Sequence, residues 1–237
     1  MSNIRLFHPE SITANTTSLL SKELTHYVVN VMRLKRGSNL NFFNKEGEWE
    51  SKIVFLEKDR VEVKFLHKVK ESSKSLSFEL AICLVKKNPM EIILQKATEL
   101  GVSKITPIIS ERTEVKELNY ERANKIVIEA TEQSNQLNPP VINQVIKLKD
   151  FIDNFKNDTR LFFANVNSNY KINSGDIDKN KSICILVGPE GDFSPKEQEL
   201  ILAIPNLISF SLSKNILKTD TAVISAISLV NFVYNDH

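Results

Sequence analysis

The run Ile183-Cys184-Ile185-Leu186-Val187-Gly188-Pro189-Glu190-Gly191-Asp192-Phe193-Ser194 decides how this chain is read, together with Ile216-Leu217-Lys218-Thr219-Asp220-Thr221-Ala222 downstream. The chain has only 6 glycines in 237 residues, and two of them, Gly188 and Gly191, fall in this one turn. The apolar run from Ile183 to Val187 has the character of a strand buried on both faces. Gly188 and Gly191 then predict a sharp turn that approaches a ligand with no Cβ in the way. Ser194-Pro195-Lys196-Glu197 reads as a helix start, with Ser194 as N-cap, Pro195 at the first position and Glu197 closing a capping box. Buried strand, glycine turn and capped helix together make a platform for a small ligand at the carboxyl end of a strand. The glycine spacing fits neither the dinucleotide fingerprint nor the P-loop. Glu190, between the glycines, repels phosphate and favours a neutral or cationic ligand.

Composition narrows the class further. Hydrophobic residues make up 41% and charged residues 25% of the chain, values of a water-soluble globular protein. No apolar run approaches the ~20 residues that span a bilayer, and Met1-Ser2-Asn3-Ile4-Arg5 lacks the layout of a signal peptide. A cytoplasmic protein with no membrane partner is expected. The only cysteines, Cys83 and Cys184, lie inside apolar strand-like runs and form no metal-ligand spacing, so buried free thiols and no metal are expected. A net charge of +2 permits RNA as a partner without requiring it. The local clusters Arg33-Leu34-Lys35-Arg36 and Lys86-Lys87 carry more information than the total.

Two rhythms run along the chain. Up to residue 70, alternating segments at Asn39–Asn44, Trp49–Phe55 and Arg60–Phe65 predict strands, with Lys45-Glu46-Gly47-Glu48 as a hairpin turn and Thr25–Met32 as a short helix. This reads as a small β-barrel-like domain over residues 1–70. The polar stretch from Lys68 to Ser75 predicts a linker, placed at 71–76. From residue 77 to 237 strands and helices alternate, which argues an α/β domain with a mostly parallel sheet. Predicted strands there are 76–85, 104–109, 161–164, 183–187 and 208–212. Predicted helices open at Pro89, Tyr120 and Pro195, and a last one is capped by Thr219 or Asp220.

The motifs Leu186–Ser194 and Asn215–Ala222 resemble those of the SPOUT superfamily of RNA methyltransferases, and more narrowly the RsmE family, which methylates N3 of a uridine in small-subunit ribosomal RNA. Further blocks fit the family in order: Arg5-Leu6-Phe7, His26 and Arg33-Leu34-Lys35-Arg36-Gly37 in the amino-terminal half, then Gln95–Val102, Ser110-Glu111-Arg112 and Glu129–Ser134. The resemblance implies a small PUA-like RNA-binding β-barrel followed by a trefoil-knotted α/β domain, a rare exception to the rule against threaded chains. It implies S-adenosylmethionine held between the motifs by Leu186, Gly188, Glu190, Gly191, Leu212, Ile216, Leu217 and Thr221, largely through backbone groups. It also implies a homodimer, with small-subunit ribosomal RNA or the assembled subunit as substrate. Arg5, His26, Arg33, Lys35 and Arg36 are the expected RNA contacts. Against the family pattern, Gly191-Asp192 stands for Gly-Gly, Lys218 for an arginine, Asp220 for a glutamate, and Asn215 and Gln136 for further arginines.

Uridine N3 carries a proton that must leave for the methyl group to arrive. Positioning of N3 in line with the donor supplies part of the rate, and a general base assists; Asp220 and Glu190 are the nearby carboxylates. Asp220 is the expected catalytic residue, with Lys218 and Arg112 holding the RNA or the deprotonated uracil, although an N-cap role for Asp220 competes. Two other functions compete. One is a sibling enzyme that methylates a ribose 2′-hydroxyl or a tRNA base. The other is a non-catalytic RNA-binding or ribosome-assembly factor, which need not retain cofactor affinity.

Overall fold

The computed structural model describes residues 4–72 and 78–235. By contacts the chain divides into two units, one made of Met1–Lys74 with Thr131–Asn138 and the other of Ser75–Ala130 with Pro139–His237.

In the first unit, β1 (Arg5–Phe7), β2 (Thr17–Leu19), β3 (Asn39–Asn44), β4 (Gly47–Glu57) and β5 (Arg60–Glu71) form a sheet in the order β1-β3-β4-β5-β2. β1 runs parallel to β3, and the other neighbours are antiparallel. Alternation along the strands turns Leu40, Phe42, Trp49, Ile53, Val61, Val63 and Phe65 into one core. Phe43 is just as buried on the opposite face, where it meets Phe7 at 5.8 Å between ring centroids. The expected helix over 25–32 is split: α1 (Lys22–His26) is capped by Ser21, whose Oγ accepts from Leu24 N, and a π-helical turn follows over Tyr27–Val31.

The polar stretch read as a linker begins as a strand. β5 continues through Lys68, Val69 and Lys70 to Glu71, paired with Trp49, Glu48 and Gly47 of β4. These side chains are polar because this end of the hairpin is solvated. Lys68 lies over the Trp49 ring at 4.9 Å and pairs with Glu71 at 3.0 Å. Residues 73–76 of the expected linker, and Leu76 and Ser77 of the expected strand 76–85, lie outside the described residues.

The second unit is built on a sheet of parallel strands: β6 (Phe78–Cys83), β7 (Lys104–Ile109), β8 (Val141–Ile142), β9 (Ile146–Lys147), β10 (Thr159–Ala164), β11 (Ser182–Val187) and β12 (Ile208–Phe210). Their order is β12-β10-β11-β6-β7-β8, with β9 also on β7. The helices are α2 (Lys87–Glu99), α3 (Tyr120–Gln133), α4 (Leu148–Asp153), α5 (Pro195–Leu202) and α6 (Thr219–Asn235). Successive strand residues feed two cores. Leu80, Ile82, Ile183, Ile185 and Phe162 pack with Ile93 and Leu94 of α2 and Val223 and Ile227 of α6. Ala81, Cys83, Cys184, Leu186, Leu161 and Phe163 pack with Phe151 of α4 and Ile201 of α5. Both faces are covered, which is why β11 reads as an unbroken apolar run. Burial pushes the Cys83 thiol up to about 12 and Cys184 well above the ordinary thiol value.

Candidate functional site

The carboxyl ends of β10, β11 and β12 surround a cleft of about 320 Å³, within the range of small-ligand sites. Four segments form its walls: Ala164–Val166 after β10, Val187–Asp192 after β11, Leu212–Leu217 after β12, and Thr219 with Ala222 at the start of α6. In a parallel sheet this is where side chains and loops are free of the ladder and a ligand can enter.

The turn after β11 is held from within. Ser194 and Glu197 form the expected capping box, and the second Glu197 oxygen accepts from Glu111 N at 2.8 Å, tying α5 to the loop after β7. Neither Gly188 nor Gly191 is in the left-handed region; Asp192 is, at φ 58°. The turn closes through Asp192 N to Pro189 O at 2.9 Å. One Asp192 carboxylate oxygen accepts from Phe193 N and the other from Gln198 Nε2. Left-handed backbone favours glycine, and aspartate tolerates it through such local bonds. This accounts for the position at which the resembling family has its second glycine. Gly188 is needed for a different reason: a Cβ there would sit 3.0 Å from the Phe193 ring, which packs on Phe163 beneath the turn.

Gly188, Glu190, Gly191, Leu212, Ile216 and Leu217 all line the cleft, so the two motifs, far apart in sequence, meet here. Leu212, Ile216 and Leu217 enter no backbone–backbone hydrogen bond outside regular elements among the described residues, which leaves amide and carbonyl groups for a ligand. Ile216 is 94% exposed. Leu186 and Thr221 are not among the lining residues. Leu186 is fully buried one residue before the strand ends, and its backbone is in register with Phe163 and Ala81. Thr221 is exposed and donates to Asp220 Oδ1.

The expected catalytic residues are dispersed. α6 begins at Thr219, which puts Asp220 in the first turn rather than at the cap. Asp220 Oδ1 accepts from Thr221 N at 2.7 Å, and Asp220 does not line the cleft, while Glu190 does. Arg112 braces the glycine turn, donating from Nη1 to Gly191 O at 2.9 Å. Lys218 is exposed. The sequence reading missed Asn165 and Val166. Asn165 is buried at the cleft wall, donates to Ser209 Oγ at 3.1 Å and accepts from Asn167 N at 2.9 Å, binding the end of β10 to β12. The available signal was a polar residue directly after a buried strand, but nothing local says that β10 lies beside β11.

In the first unit, His26 is exposed at the end of α1, and Arg33, Lys35 and Arg36 are exposed on a loop pinned by Leu34 N to Val28 O at 3.0 Å and Gly37 N to Ile53 O at 2.8 Å. Gly37, at φ 91°, makes the turn, and Lys52 lies against it. Arg5 is placed differently from these four. Its side chain is 8% exposed and pairs with the equally buried Glu48 at 3.0 Å. It donates to the carbonyls of Glu132 and Gln136 at 2.8 Å each and covers the Phe43 ring at 4.4 Å. Despite its burial, Glu48 is held below the usual carboxylate range by the Arg5 and Asn41 hydrogen bonds. Arg5 thus ties β1 to Glu48 of β4 and to the carbonyls of Glu132 and Gln136.

Residues 71–231 match the family model of the RNA methyltransferase domain, and residues 20–66 match the RNA methyltransferase PUA domain. The class is therefore that of RNA methyltransferases with a PUA domain. A ribosomal RNA small subunit methyltransferase E from Rickettsia conorii is 36% identical over 91% of this chain and 89% of its own length. The homologue of that name from Buchnera aphidicola subsp. Schizaphis graminum is 30% identical over 98% of this chain and 97% of its own. Among solved structures, a ribosomal RNA small subunit methyltransferase E from Neisseria gonorrhoeae bound to S-adenosyl methionine has a TM-score of 0.88 at 29% identity, covering 97% of each chain. The chain belongs to the ribosomal RNA small subunit methyltransferase E family.

Proposed function

We propose that this protein transfers a methyl group from S-adenosylmethionine to N3 of a uridine in small-subunit ribosomal RNA. The observation that carries this reading is the cleft at the carboxyl ends of β10, β11 and β12, where both motifs converge in a member of this family. The cleft suits the cofactor. Val187, Leu212 and Ala222 offer apolar surface, the 212–217 segment offers backbone groups, and Glu190 offers negative charge for a sulfonium. When bound, the cofactor supplies an electrophilic methyl group. The chain's own part is to hold the donor, exclude water and orient the RNA. Arg112 and Lys218 hold the RNA or the charge on deprotonated uracil, Asp220 organises the first turn of α6, and His26 at the end of α1 with Arg33, Lys35 and Arg36 on the following loop engage phosphates.

The first 70 residues form the PUA-like barrel on this reading, followed by a linker at 71–76 and a trefoil-knotted domain from 77 to 237. β12 lies beyond β10 while the chain returns through the 212–217 segment to α6, which packs on α2 and β11; this supports the knot. Leu229 and Phe232, 37% and 65% exposed and three residues apart on α6, support a homodimer through that helix. The protein works in the cytoplasm on ribosomal RNA or the assembled subunit. Among the described residues no helix is long and apolar enough to cross a membrane.

The test is transfer from labelled S-adenosylmethionine to small subunits lacking their modifications, followed by nucleoside analysis. 3-Methyluridine is the expected product. A ribose-methylated nucleoside, or no transfer and no cofactor binding, would overturn the proposal.

A further inference from the structure

Beside the cofactor cleft lies a second, smaller cavity of about 90 Å³, and Pro189, Glu190 and Gly191 form a wall of both. Its remaining walls are Leu84–Lys86 at the carboxyl end of β6 and Arg112, Glu114 and Val115 in the loop after β7. Two cationic residues, Lys86 and Arg112, therefore line a small space together with Leu84, Val85 and Glu190, and Glu190 also lines the cofactor cleft. Arg112 is fixed by its bond to Gly191 O, and the rest of its guanidinium remains available. Lys86 touches Glu114 only at 3.8 Å, with both side chains mostly exposed, so its ammonium is free to move onto a ligand.

We infer that this cavity receives the target base, with Lys86 and Arg112 meeting the two carbonyl oxygens of uracil and Glu190 accepting the N3 proton. The inference rests on the functional reading above and assigns its substrate pocket. Uracil N3 lies between two carbonyls, and when its proton leaves, the negative charge spreads to both oxygens. Two flanking cations stabilise that anion as it forms. Cytosine has an amino group in place of one carbonyl, and its hydrogens face a cation unfavourably, so the same pair selects uracil. Glu190 is the carboxylate common to donor cleft and base pocket; the other charges around it are Lys86, Arg112 and Glu114 in the small cavity and Asp192 in the cleft. The N3–CH3 bond forms as the carbon–sulfur bond breaks, that bond's electron pair passes to sulfur, and the N3 proton goes to Glu190.

The experiment compares the parent protein with Glu190→Gln, Lys86→Gln and Asp220→Asn on undermodified small subunits. It reads cofactor affinity by equilibrium dialysis, the single-turnover rate against pH, and ultraviolet cross-linking to bromouridine-substituted small-subunit RNA. The expectation is that Glu190→Gln, assayed at saturating cofactor because Glu190 also offers charge to the sulfonium, loses about 100-fold or more in rate and leaves a residual rate that climbs with hydroxide. Lys86→Gln loses about tenfold or more in rate with cofactor affinity unchanged, and cross-links in the parent map to Leu84–Lys87 or Arg112–Val115. Asp220→Asn keeps the parent's pH profile. Full rates in both Glu190→Gln and Lys86→Gln, or cross-links confined to other segments, would overturn the pocket while leaving the function intact. A parent that binds cofactor yet forms no 3-methyluridine would overturn the functional reading and the pocket with it.

Discussion

Replacing Arg5 with methionine keeps most of the aliphatic stem and removes a guanidinium on which the first unit converges. The loss has three parts. Glu48, as buried as Arg5 itself, loses its paired cation and keeps the Asn41 bond at 2.7 Å; breaking a buried pair from one side costs about 3–5 kcal/mol. The carbonyls of Glu132 and Gln136 lose their 2.8 Å donors, and Phe43 loses the cation 4.4 Å from its ring centroid. These overlap with the first part and are not added in full. Taking about 4 kcal/mol, and a urea slope of roughly 2 kcal/mol per molar for a small domain, the midpoint falls by about 2 M. Trp49 is the single tryptophan of the chain and sits in this unit's core at 3% exposure, so its emission reports the transition in the full-length protein.

The same pair sets a pH dependence. Glu48 titrates lower in the folded state than its ordinary value, so its stabilising contribution is complete above the unfolded pKa and is lost as pH falls through the folded one. The gap between parent and Arg5→Met should therefore narrow below about pH 4. A midpoint shift under roughly 0.5 M at neutral pH, with a large loss of RNA affinity instead, would refute the structural role and return Arg5 to the RNA surface.

Three further outcomes are expected. Asp192→Gly should be neutral or stabilising by up to about 1 kcal/mol in thermal unfolding, whereas Asp192→Val should cost about 2–3 kcal/mol, because a β-branched residue must adopt φ 58° without the two carboxylate bonds. Neutralising Arg33, Lys35 and Arg36 together should weaken RNA binding and flatten its log–log salt slope by about 2, measured by filter binding; an unchanged slope would remove this loop from the RNA contacts. Cys83 and Cys184, buried with raised pKa values, should resist a thiol reagent at pH 8 until the protein unfolds; rapid native labelling would show that the second unit opens readily.

The readings that held are those whose causes lie within a few residues. Ser194 and Glu197 cap α5 because both partners sit three residues apart on one turn. The hairpin at Lys45–Glu46 and the apolar run of β11 are equally local. Where the reading failed, the deciding partner was distant in the chain. Lys68 to Lys70 look like a linker by composition, yet they pair with the other arm of a long hairpin. The partners of Arg5, which are Glu48 and the carbonyls of Glu132 and Gln136, are equally distant in the chain and were not legible from it.

The candidate site divides the same way. Its two motifs were legible as a pair because glycine, proline and the capping residues mark turns by their own stereochemistry. The sequence by itself thus determined the family, the parallel α/β character and the segments that line the cleft. Only the tertiary structure decided which residues within those segments are free to act. Strand order puts Asn165 beside the cleft and withdraws Leu186 into the ladder, and the meeting of two cavities at Glu190 singles out that carboxylate over Asp220. Hydrogen-bond partners and cavity walls are set by contacts between residues tens to a hundred positions apart, and no local pattern encodes them.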